Sequence, residues 1–517
     1  MIKDEKLSEI INEVNENLKL NNFIDACSLA KVANDISPNN FQILLIIATC
    51  YQQMDNVNSA IEFYKLSIKS NGKFITSYDM LIDLLIKESS NNKYFIKESI
   101  FYIESVNKID PDNFDRMFKY GSMTLLARDF NKAEIIFKDL TLRDSLNISY
   151  QYKLAETFSK TGKGLKAISL INTFFLFTKK KYLNLMEQLA LAYFSLGELS
   201  KAKKEFYKIL SDRNITDPKN TDIRENSYCN LCEVFRESSK KEEYPEFKKI
   251  CNEGISLYPE NIFLKKQSLY LDMYSNNESE CRKKINFLCE KYPENREYAG
   301  LNLYLNHEYK SIELSGFCSN PFEAIRTYKL SDFYNNSNSK ILSLINSIKK
   351  LPMLVDQPFK TDIGAKRTQT NLFQIKDSHL IGLSEKIFNI LDIYKKDISN
   401  EVSGNYLNKW PNNLFLDAWS MIAEKDAFHI AHNHIESWVS GVIYLDIPNN
   451  LNNNDGSISF TTTPDKLPNK ERPFEKIFKP NPGDIIMFPS HLYHYTFPHN
   501  DSNERICLPF NAVKSLK

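Results

Sequence analysis

The stretch that decides the fold of the first three hundred residues is NFIDACSLAKVANDISPNN, residues 22–40. It places the small residue Ala26 among apolar residues at helical spacing, and it closes with Pro38. A residue in the phase of Ala26 recurs seven times, as Ala60, Ser99, Ala133, Ala167, Ala202, Phe247 and Cys281. The successive intervals are 34, 39, 34, 34, 35, 45 and 34 residues. A period this regular predicts an array of similar structural units.

Each unit is predicted to be a helix, a turn and a second helix. The first helix carries a small residue and an aromatic residue three positions later, and a glycine such as Gly162 or Gly197 marks the turn. These pairs are Ala48 and Tyr51, Ala155 and Phe158, and Ala190 and Tyr193. The second helix carries the recurring small residue, and the two long intervals contain predicted loop insertions at residues 88–93 and 211–222.

This pattern resembles the tetratricopeptide repeat, over residues 1–310 and in about eight units. The resemblance implies an all-α superhelix whose concave groove holds a protein or peptide partner. The alternative is that the repeats only stiffen the chain or make it dimerise.

Composition limits the classes of protein that fit. The 517 residues exceed one ordinary domain, and 66 basic against 65 acidic residues leave a net charge of +1. No overall field therefore favours nucleic acid or an anionic membrane, and no apolar run approaches the roughly 20 residues of a membrane-spanning helix. The nine cysteines are irregularly spaced, and Cys229 and Cys232 lack partners for a zinc site, so helix-face thiols are expected there. The cytoplasm is the expected compartment.

The pattern changes after residue 310. A helix is predicted over residues 340–350, and from residue 413 short apolar runs alternate with Pro, Asn and Gly. The predicted strands are Leu414–Ala423, Trp438–Ile447, Ser457–Thr463 and Asp484–Pro489, with a polar loop at residues 449–456 between two of them. The prediction for residues 311–517 is therefore a double-stranded β-helix (jelly-roll) domain with flanking helices.

Histidines point to the candidate site. Six of the eight lie between His429 and His499. In an extended segment His432 and His434 face the same side, and Glu436 shares their parity. His494 follows about 60 residues later, at the far end of an apolar strand. Two neighbouring ligands and one distant ligand predict a facial site with open positions, which suits non-heme Fe(II).

The C-terminal motifs resemble those of Fe(II)- and 2-oxoglutarate-dependent oxygenases of the prolyl-hydroxylase-like kind. They are His-x-His followed by Trp-x-Ser-Gly-x-x-Tyr-Leu, Gly-Asp-x-x-x-Phe-Pro-Ser-x-x-x-His and Arg-x-x-x-x-Phe-Asn, and residues 364–372 match the opening segment. The resemblance implies Fe(II), with 2-oxoglutarate and O2 as cosubstrates. It makes His432 and His494 iron ligands and assigns Arg505 to the distal carboxylate of 2-oxoglutarate. Residues expected to line the cosubstrate site are Tyr444, Trp419 and Asn511.

One departure from the family pattern leaves the ligand set open. The superfamily uses His-x-Asp or His-x-Glu, where this chain has His432-Asn433-His434. A site of His432, His434 and His494 is one possibility. A pair of His434 and Glu436 would restore a carboxylate, and a nonfunctional site is the third possibility. His491 is expected to be structural or exposed, and His307, His379, His429 and His499 are not assigned to the site.

The sequence therefore predicts a dioxygenase whose repeats recruit a protein or peptide substrate, with no nucleic-acid or membrane partner. The alternative is a repeat scaffold whose β-helix domain is catalytically silent. A cupin is disfavoured, because Trp438 and Val439 stand where that family would place a glutamate. Nucleotide-binding and hydrolase motifs are absent from the sequence.

Overall fold

The structure is a computed structural model that describes residues 2–89, 94–212, 220–310, 316–355, 361–368, 370–449, 451–465, 467 and 474–514. The chain divides into two compact units, Met1–Ser145 and Leu146–Ser515. The predicted domain boundary at residue 310 stays a prediction, and the second unit contains both helical repeats and sheets.

In the residues that the structure describes, the regular elements of the first unit and of the first part of the second are helices. In the first unit they are α1 (Ile2–Lys19), α2 (Phe23–Ile36), α3 (Phe41–Gln53), α4 (Val57–Ser70), α5 (Ile75–Glu88), α6 (Tyr94–Val106), α7 (Phe114–Leu126) and α8 (Phe130–Arg143). In the second they are α9 (Ile148–Lys160), α10 (Gly164–Thr178), α11 (Leu183–Ser195), α12 (Leu199–Leu210), α13 (Thr221–Ser238), α14 (Tyr244–Leu257), α15 (Ile262–Tyr274), α16 (Glu278–Lys291) and α17 (Arg296–Glu308).

The predicted repeat is confirmed. All eight recurring residues lie in even-numbered helices, from Ala26 in α2 to Cys281 in α16, and each is at most 1% exposed. The small-plus-aromatic pairs lie in the odd-numbered helices α3, α9 and α11. Gly162 and Gly197 adopt φ of 72° and 77° in the turns after α9 and α11, a conformation that glycine adopts at little cost. The two predicted insertions fall largely outside the described residues.

Helix α17 begins a ninth unit. Its N-cap Asn295 accepts hydrogen bonds from Glu297 N and Tyr298 N, as Asn261 caps α15. Lys310, after α17, adopts a left-handed backbone conformation with φ of 50°, as does Asn276 after α15 with φ of 51°. In the part of the chain that the structure describes, no second helix of this unit follows, and the next elements belong to the sheet domain.

The sheet domain contains eleven described strands and three α-helices. They are β1 (Arg326–Lys329), α18 (Ser337–Lys349), β2 (Met353–Val355), β3 (Asp362–Thr368), α19 (Ser378–Asp397), α20 (Asn405–Asn408), β4 (Leu414–Ala418), β5 (Met421–His429), β6 (Ser437–Asp446), β7 (Ile458–Thr461), β8 (Glu475–Phe478), β9 (Asp484–Pro489), β10 (Tyr493–Thr496) and β11 (Arg505–Lys514). Short 3-10 helices span Lys241–Glu243, Pro321–Ala324, Leu330–Asp332 and Leu372–Gln374. The predicted helix at residues 340–350 is confirmed as α18.

Two antiparallel sheets form the predicted double-stranded β-helix. The large sheet has the order β1-β9-β6-β11-β5-β3-β2, and β4 also pairs with β11. The small sheet has the order β10-β7-β8, and a bridge between His432 and His494 extends it beyond β10. From β5 to β11 the chain therefore crosses repeatedly between the two sheets, and β7 and β8 are neighbours in the small sheet, as in a jelly roll. One apolar cluster fills the space between the sheets and another packs α18 and α19 on the outer face.

Two strand predictions need correction. The segment Leu414–Ala423 forms two strands rather than one, because β4 and β5 pair with different parts of β11. Pro509, which has no N–H to donate, lies between those parts and accepts a hydrogen bond from Trp419 N at 3.1 Å. Strands also begin well before residue 413, since β1, β2 and β3 belong to the large sheet.

Among the described helices, none combines the length and the apolar composition needed to cross a membrane.

Candidate metal centre

Three of the predicted ligands meet at the open end of the two sheets. His432 and His434 lie between β5 and β6, outside any regular strand, and His494 is on β10. Their ring centroids are 4.3 Å apart for His432 and His494, and 5.1 Å apart for each pair that includes His434. One ligand nitrogen from each ring lies within 4.8 Å of the others. This spacing allows all three imidazoles to bind one ion.

Backbone hydrogen bonds bring the two histidine segments together. His432 N donates to His494 O at 3.0 Å, and His494 N donates to His432 O at 2.9 Å. His434 N donates to Ser490 O at 2.9 Å. The His-x-His segment is thus extended. The ring nitrogens of His432 and His434 converge with that of His494, which agrees with the prediction that the two histidines face the same side.

Two of the rings have Nδ1 directed at a backbone carbonyl. Nδ1 of His432 lies 2.8 Å from Ile430 O, and Nδ1 of His494 lies 3.3 Å from Leu492 O. A carbonyl only accepts, so Nδ1 carries the proton and Nε2 keeps its lone pair. This is the tautomer that binds a metal through Nε2, and the carbonyl also fixes the orientation of the ring.

The third ring contacts Asn511 on β11. The side-chain Nδ2 of Asn511 lies 3.4 Å from Nδ1 of His434, and the hydroxyl of Ser440 donates to Asn511 Oδ1 at 2.8 Å. The indole of Trp419 lies 5.8 Å from the ring of His434 between centroids. Both Asn511 and Trp419, which the sequence pointed to as lining residues, therefore lie beside the histidine group.

Burial is the largest cause that lowers the pKa of His432, His434 and His494, and the neighbouring histidines lower those of His434 and His494 further. The lowered pKa values favour the neutral form of the three imidazoles. Neutral imidazole is the form that binds a cation.

The carboxylate alternative is not supported by the geometry. Glu436 is exposed and is not part of the group whose ligand atoms converge. The sequence did not point to Asp362 on β3, which lies 3.5 Å from His429 Nε2 through Oδ1 and pairs with Arg367 at 3.2 Å. It too lies outside the converging group. It could not be found from the sequence, since only the pairing of β3 with β5 brings it to His429.

Arg505 is buried next to the histidines without an acidic partner. It is 1% exposed, and its Nη1 and Nη2 donate to Gly456 O at 2.9 Å and Thr496 Oγ1 at 3.4 Å. Its Nε has no hydrogen-bond partner within the described residues, and no ion pair to it is found there. Thr496 and His494 share one face of β10, so the guanidinium points into the same space as the ligands. A buried cation of this kind is costly unless an anion pairs with it.

Tyr444 lies on the same side of the sheet as Arg505. It faces Cys507 in the β6–β11 register, two residues after Arg505. Burial raises the pKa of its phenol, and the nearby charge of Arg505 opposes that effect. The phenol is therefore a neutral hydrogen-bonding group at the inner wall.

The other histidines lie outside the converging group. His491 is fully buried against Phe317, with ring centroids 5.0 Å apart, and His499 is buried with Nε2 3.2 Å from Ala423 O. His379 is exposed on α19, and His307 packs against Phe474 at 4.3 Å.

The fold and the site together define a protein with tetratricopeptide-like repeats and a jelly roll that carries three converging histidines. Residues 417–511 match the model of the family described as "Putative 2OG-Fe(II) oxygenase". This match includes all three histidines, Tyr444, Arg505 and Asn511. No curated protein matches the sequence.

Similar solved structures are of two kinds. A tetratricopeptide repeat protein from Parabacteroides merdae is 14% identical, with a TM-score of 0.38, over 51% of this chain and 97% of its own. The protein YrrB, described as a TPR protein with an unusual peptide-binding site, is 12% identical, with a TM-score of 0.29, over 35% and 90%. A prolyl-4-hydroxylase from Pseudomonas putida is 14% identical, with a TM-score of 0.27, over 37% and 92%.

Proposed function

We propose that the sheet domain, residues 311–517, is an Fe(II)- and 2-oxoglutarate-dependent dioxygenase, and that the repeats recruit its protein or peptide substrate. Fe(II) would be held by Nε2 of His432, His434 and His494, a three-histidine set. Arg505 would bind the distal carboxylate of 2-oxoglutarate through its guanidinium. Tyr444 and Asn511 would line the cosubstrate space.

The observation that carries this proposal is the buried guanidinium of Arg505, which has no acidic partner among the described residues and faces the same space as the converging histidines. Three neutral histidines alone would suit several divalent metals and several reactions. A permanent cation that shares their space favours an anionic cosubstrate. The family match at residues 417–511 supports the same conclusion.

Bound iron would let O2 oxidise 2-oxoglutarate to succinate and CO2 while one oxygen atom hydroxylates the substrate. The chain's own part in this chemistry is to bind and to orient. Ile430 O and Leu492 O hold two rings by their Nδ1 protons. Phe488 packs against His494 at 4.7 Å between centroids and helps to exclude water from that side. Since no ligand is a carboxylate, the iron site would carry one more positive charge than the usual set, which favours binding of the dianionic cosubstrate.

The test is an anaerobic titration of the full chain with Fe(II) and then 2-oxoglutarate, followed through the visible charge-transfer band of the chelate. We expect a band in the wild type, weaker 2-oxoglutarate binding in Arg505→Ala and no band in His494→Ala. Arg116→Ala is the matched control for loss of a buried guanidinium, because Arg116 pairs with Asp79 and Asp110 in the first unit.

The same experiment decides between this proposal and the scaffold alternative. A wild-type chain that binds neither Fe(II) nor 2-oxoglutarate would contradict the oxygenase and leave the repeat scaffold with a silent sheet domain. A band that is equally strong in Arg505→Ala and wild type would contradict the role of Arg505.

A further inference from the structure

Helix α17 is shared between the repeats and the sheet domain. Tyr298 and Leu301 belong to the apolar cluster of α15 and α16. On other faces of the same helix, Ala299 joins the cluster beneath the large sheet, and Leu303 packs against the cluster between the sheets. In the preceding units the second helix of the repeat covers the first. In the ninth unit the sheet domain takes that place.

The backbone of α17 touches both segments that carry the histidines. A Cβ at Gly300 would lie 2.8 Å from Asn433 Nδ2, 2.8 Å from His491 O and 3.2 Å from Tyr493 Cε2. Asn433 stands between His432 and His434, and Tyr493 precedes His494. Only glycine permits this approach, because any side chain would push one of the two segments away.

Polar contacts fix the same junction. Arg296, one turn before Gly300, donates from Nε to Ile435 O at 3.1 Å, and its guanidinium lies 5.6 Å from the centroid of the Trp438 ring. Asn433 Nδ2 donates to His491 O at 3.3 Å and so ties the two histidine segments to each other.

The contact extends into the repeats through Tyr493. This side chain is 5% exposed. Burial raises the pKa of its phenol, and the nearby Tyr270 on α15 and Glu297 on α17 raise it further. Glu297 in turn accepts a hydrogen bond from Lys266 on α15 at 2.9 Å. The residue next to His494 is thus buried beside α17 and interacts electrostatically with side chains of two consecutive first helices.

We propose that α17, through Gly300 and Arg296, is a positioning element of the metal centre. It holds the His432–His434 segment and His494 at the separation that one ion requires. This proposal rests on the proposed function only in taking the ion to be Fe(II). The contacts of α17 would position the three histidines in the same way for any divalent metal. Gly300 and Arg296 are positioning residues, because they touch neither the ion nor the cosubstrate.

The test compares Gly300→Ala with Gly254→Ala in the full chain. Gly254 on α14 is a matched control, since its Cβ would also overlap neighbours, at 2.9 Å from Leu264 Cδ1 and 3.2 Å from Tyr228 Cβ, away from the histidines. The first readout is hydrogen exchange of the metal-free chain in peptides covering residues 430–436 and 490–496. We expect faster exchange there in Gly300→Ala and wild-type rates in Gly254→Ala.

The second readout is calorimetric titration with Co(II), a redox-stable substitute for Fe(II). We expect Gly300→Ala to bind Co(II) at least about tenfold more weakly than Gly254→Ala, the usual size of an effect on groups that orient metal ligands. If Gly300→Ala does not fold, Asn433→Ala removes the tie between the segments without any overlap and should give the same two changes.

Unchanged exchange in both peptides together with unchanged Co(II) affinity would overturn the role of α17. This result differs from a failure of the proposed function. If the wild-type chain binds no metal, the exchange readout still decides whether α17 holds the histidine segments in place.

Discussion

In the candidate metal centre, single hydrogen bonds such as that of Asn511 determine which ring nitrogen of a histidine carries the proton. Metal binding through Nε2 of His434 requires a proton on Nδ1, and that proton needs an acceptor. His432 and His494 use backbone carbonyls, whereas the partner of His434 Nδ1 among the described residues is the side-chain amide of Asn511, 3.4 Å away. The amide must therefore present its oxygen to His434 when a metal is bound, with Ser440 on its other side.

A first prediction follows from this requirement. Asn511→Ala should weaken Co(II) binding by about tenfold, because the His434 ring loses the acceptor that orients it. Asn511→Asp keeps an oxygen acceptor at the same position and should bind Co(II) nearly as tightly as the wild type. Calorimetric titration of the two variants measures the difference. Equal affinities for Asn511→Ala and Asn511→Asp would contradict the orienting role.

Glu187 on α11 supplies a second prediction at the same scale. Burial raises the pKa of its carboxyl to about 7, and Asn226 opposes the shift. The pKa of Glu187 is higher in the folded chain than in the unfolded chain. The protonated, buried carboxyl therefore contributes fully to stability at pH 4, and this contribution is lost as the pH rises to about 7. The loss is up to about 3 kcal/mol. Glu187→Gln should therefore raise the Tm at pH 8 and leave the Tm at pH 5 less changed, as measured by calorimetry. An equal change at both pH values would contradict the raised pKa.

At the scale of elements, β6 and β11 approach each other closely at Gly441. Gly441 faces Phe510 in the register, and a Cβ at Gly441 would lie 2.3 Å from Phe510 Cζ. These two strands form the centre of the sheet and carry Tyr444, Arg505 and Asn511. The absence of a side chain at Gly441 leaves room for the phenyl ring of Phe510 against the strand. The positions of Tyr444, Arg505 and Asn511 on these two strands therefore depend on this glycine.

The third prediction concerns this contact. Gly441→Ala should lower the free energy of unfolding by about 1–3 kcal/mol, since Phe510 is buried and has to move. Gly382→Ala on α19 is the matched control, because a Cβ there meets nothing within 4 Å. It should raise stability by about 1 kcal/mol through helix propensity. Thermal unfolding of the two variants gives opposite shifts in Tm if this account holds.

The elements also differ in how well the sequence predicted them. The repeats were predictable because a buried residue, small in every unit except at Phe247, recurs from Ala26 to Cys281 at intervals close to 34 residues apart from two insertions. The histidines were predictable because His-x-His and His494 stand at the ends of apolar runs. Strands β1 and β2 were missed because they have four and three residues, and β3 was missed because its sequence, DIGAKRT, carries little apolar alternation. Contacts such as that of Arg296 with Ile435, 139 positions apart, leave no local pattern at all.

At the scale of the molecule, the second unit joins two architectures through one helix. In the described residues, α9–α17 and both sheets belong to the same compact unit, and α17 contributes to the clusters of each. The core of the repeats and the core of the jelly roll are therefore continuous in this unit. A ligand that stabilises the sheets should stabilise these repeats as well.

The fourth prediction tests that continuity. Co(II) should raise the midpoint of the thermal transition followed by helical circular dichroism at 222 nm, although the histidines lie in the sheet domain. His494→Ala should abolish the shift, and His379→Ala, an exposed histidine on α19, should retain it. A shift confined to near-ultraviolet signals from the sheet domain would contradict a shared core.

The ninth unit also determines where the chain can be cut into fragments and how the sheet domain can be fused to another repeat array. A fragment that starts at residue 316 would leave bare the surface that Gly300 and Leu303 cover, including Tyr493, and would be prone to aggregate. A portable sheet domain would have to start at Pro293, so that Asn295 still caps α17 and Glu294 still pairs with Lys514. Any chimera that joins this jelly roll to a foreign array would then inherit α17 as its adaptor, with the array attached upstream of it.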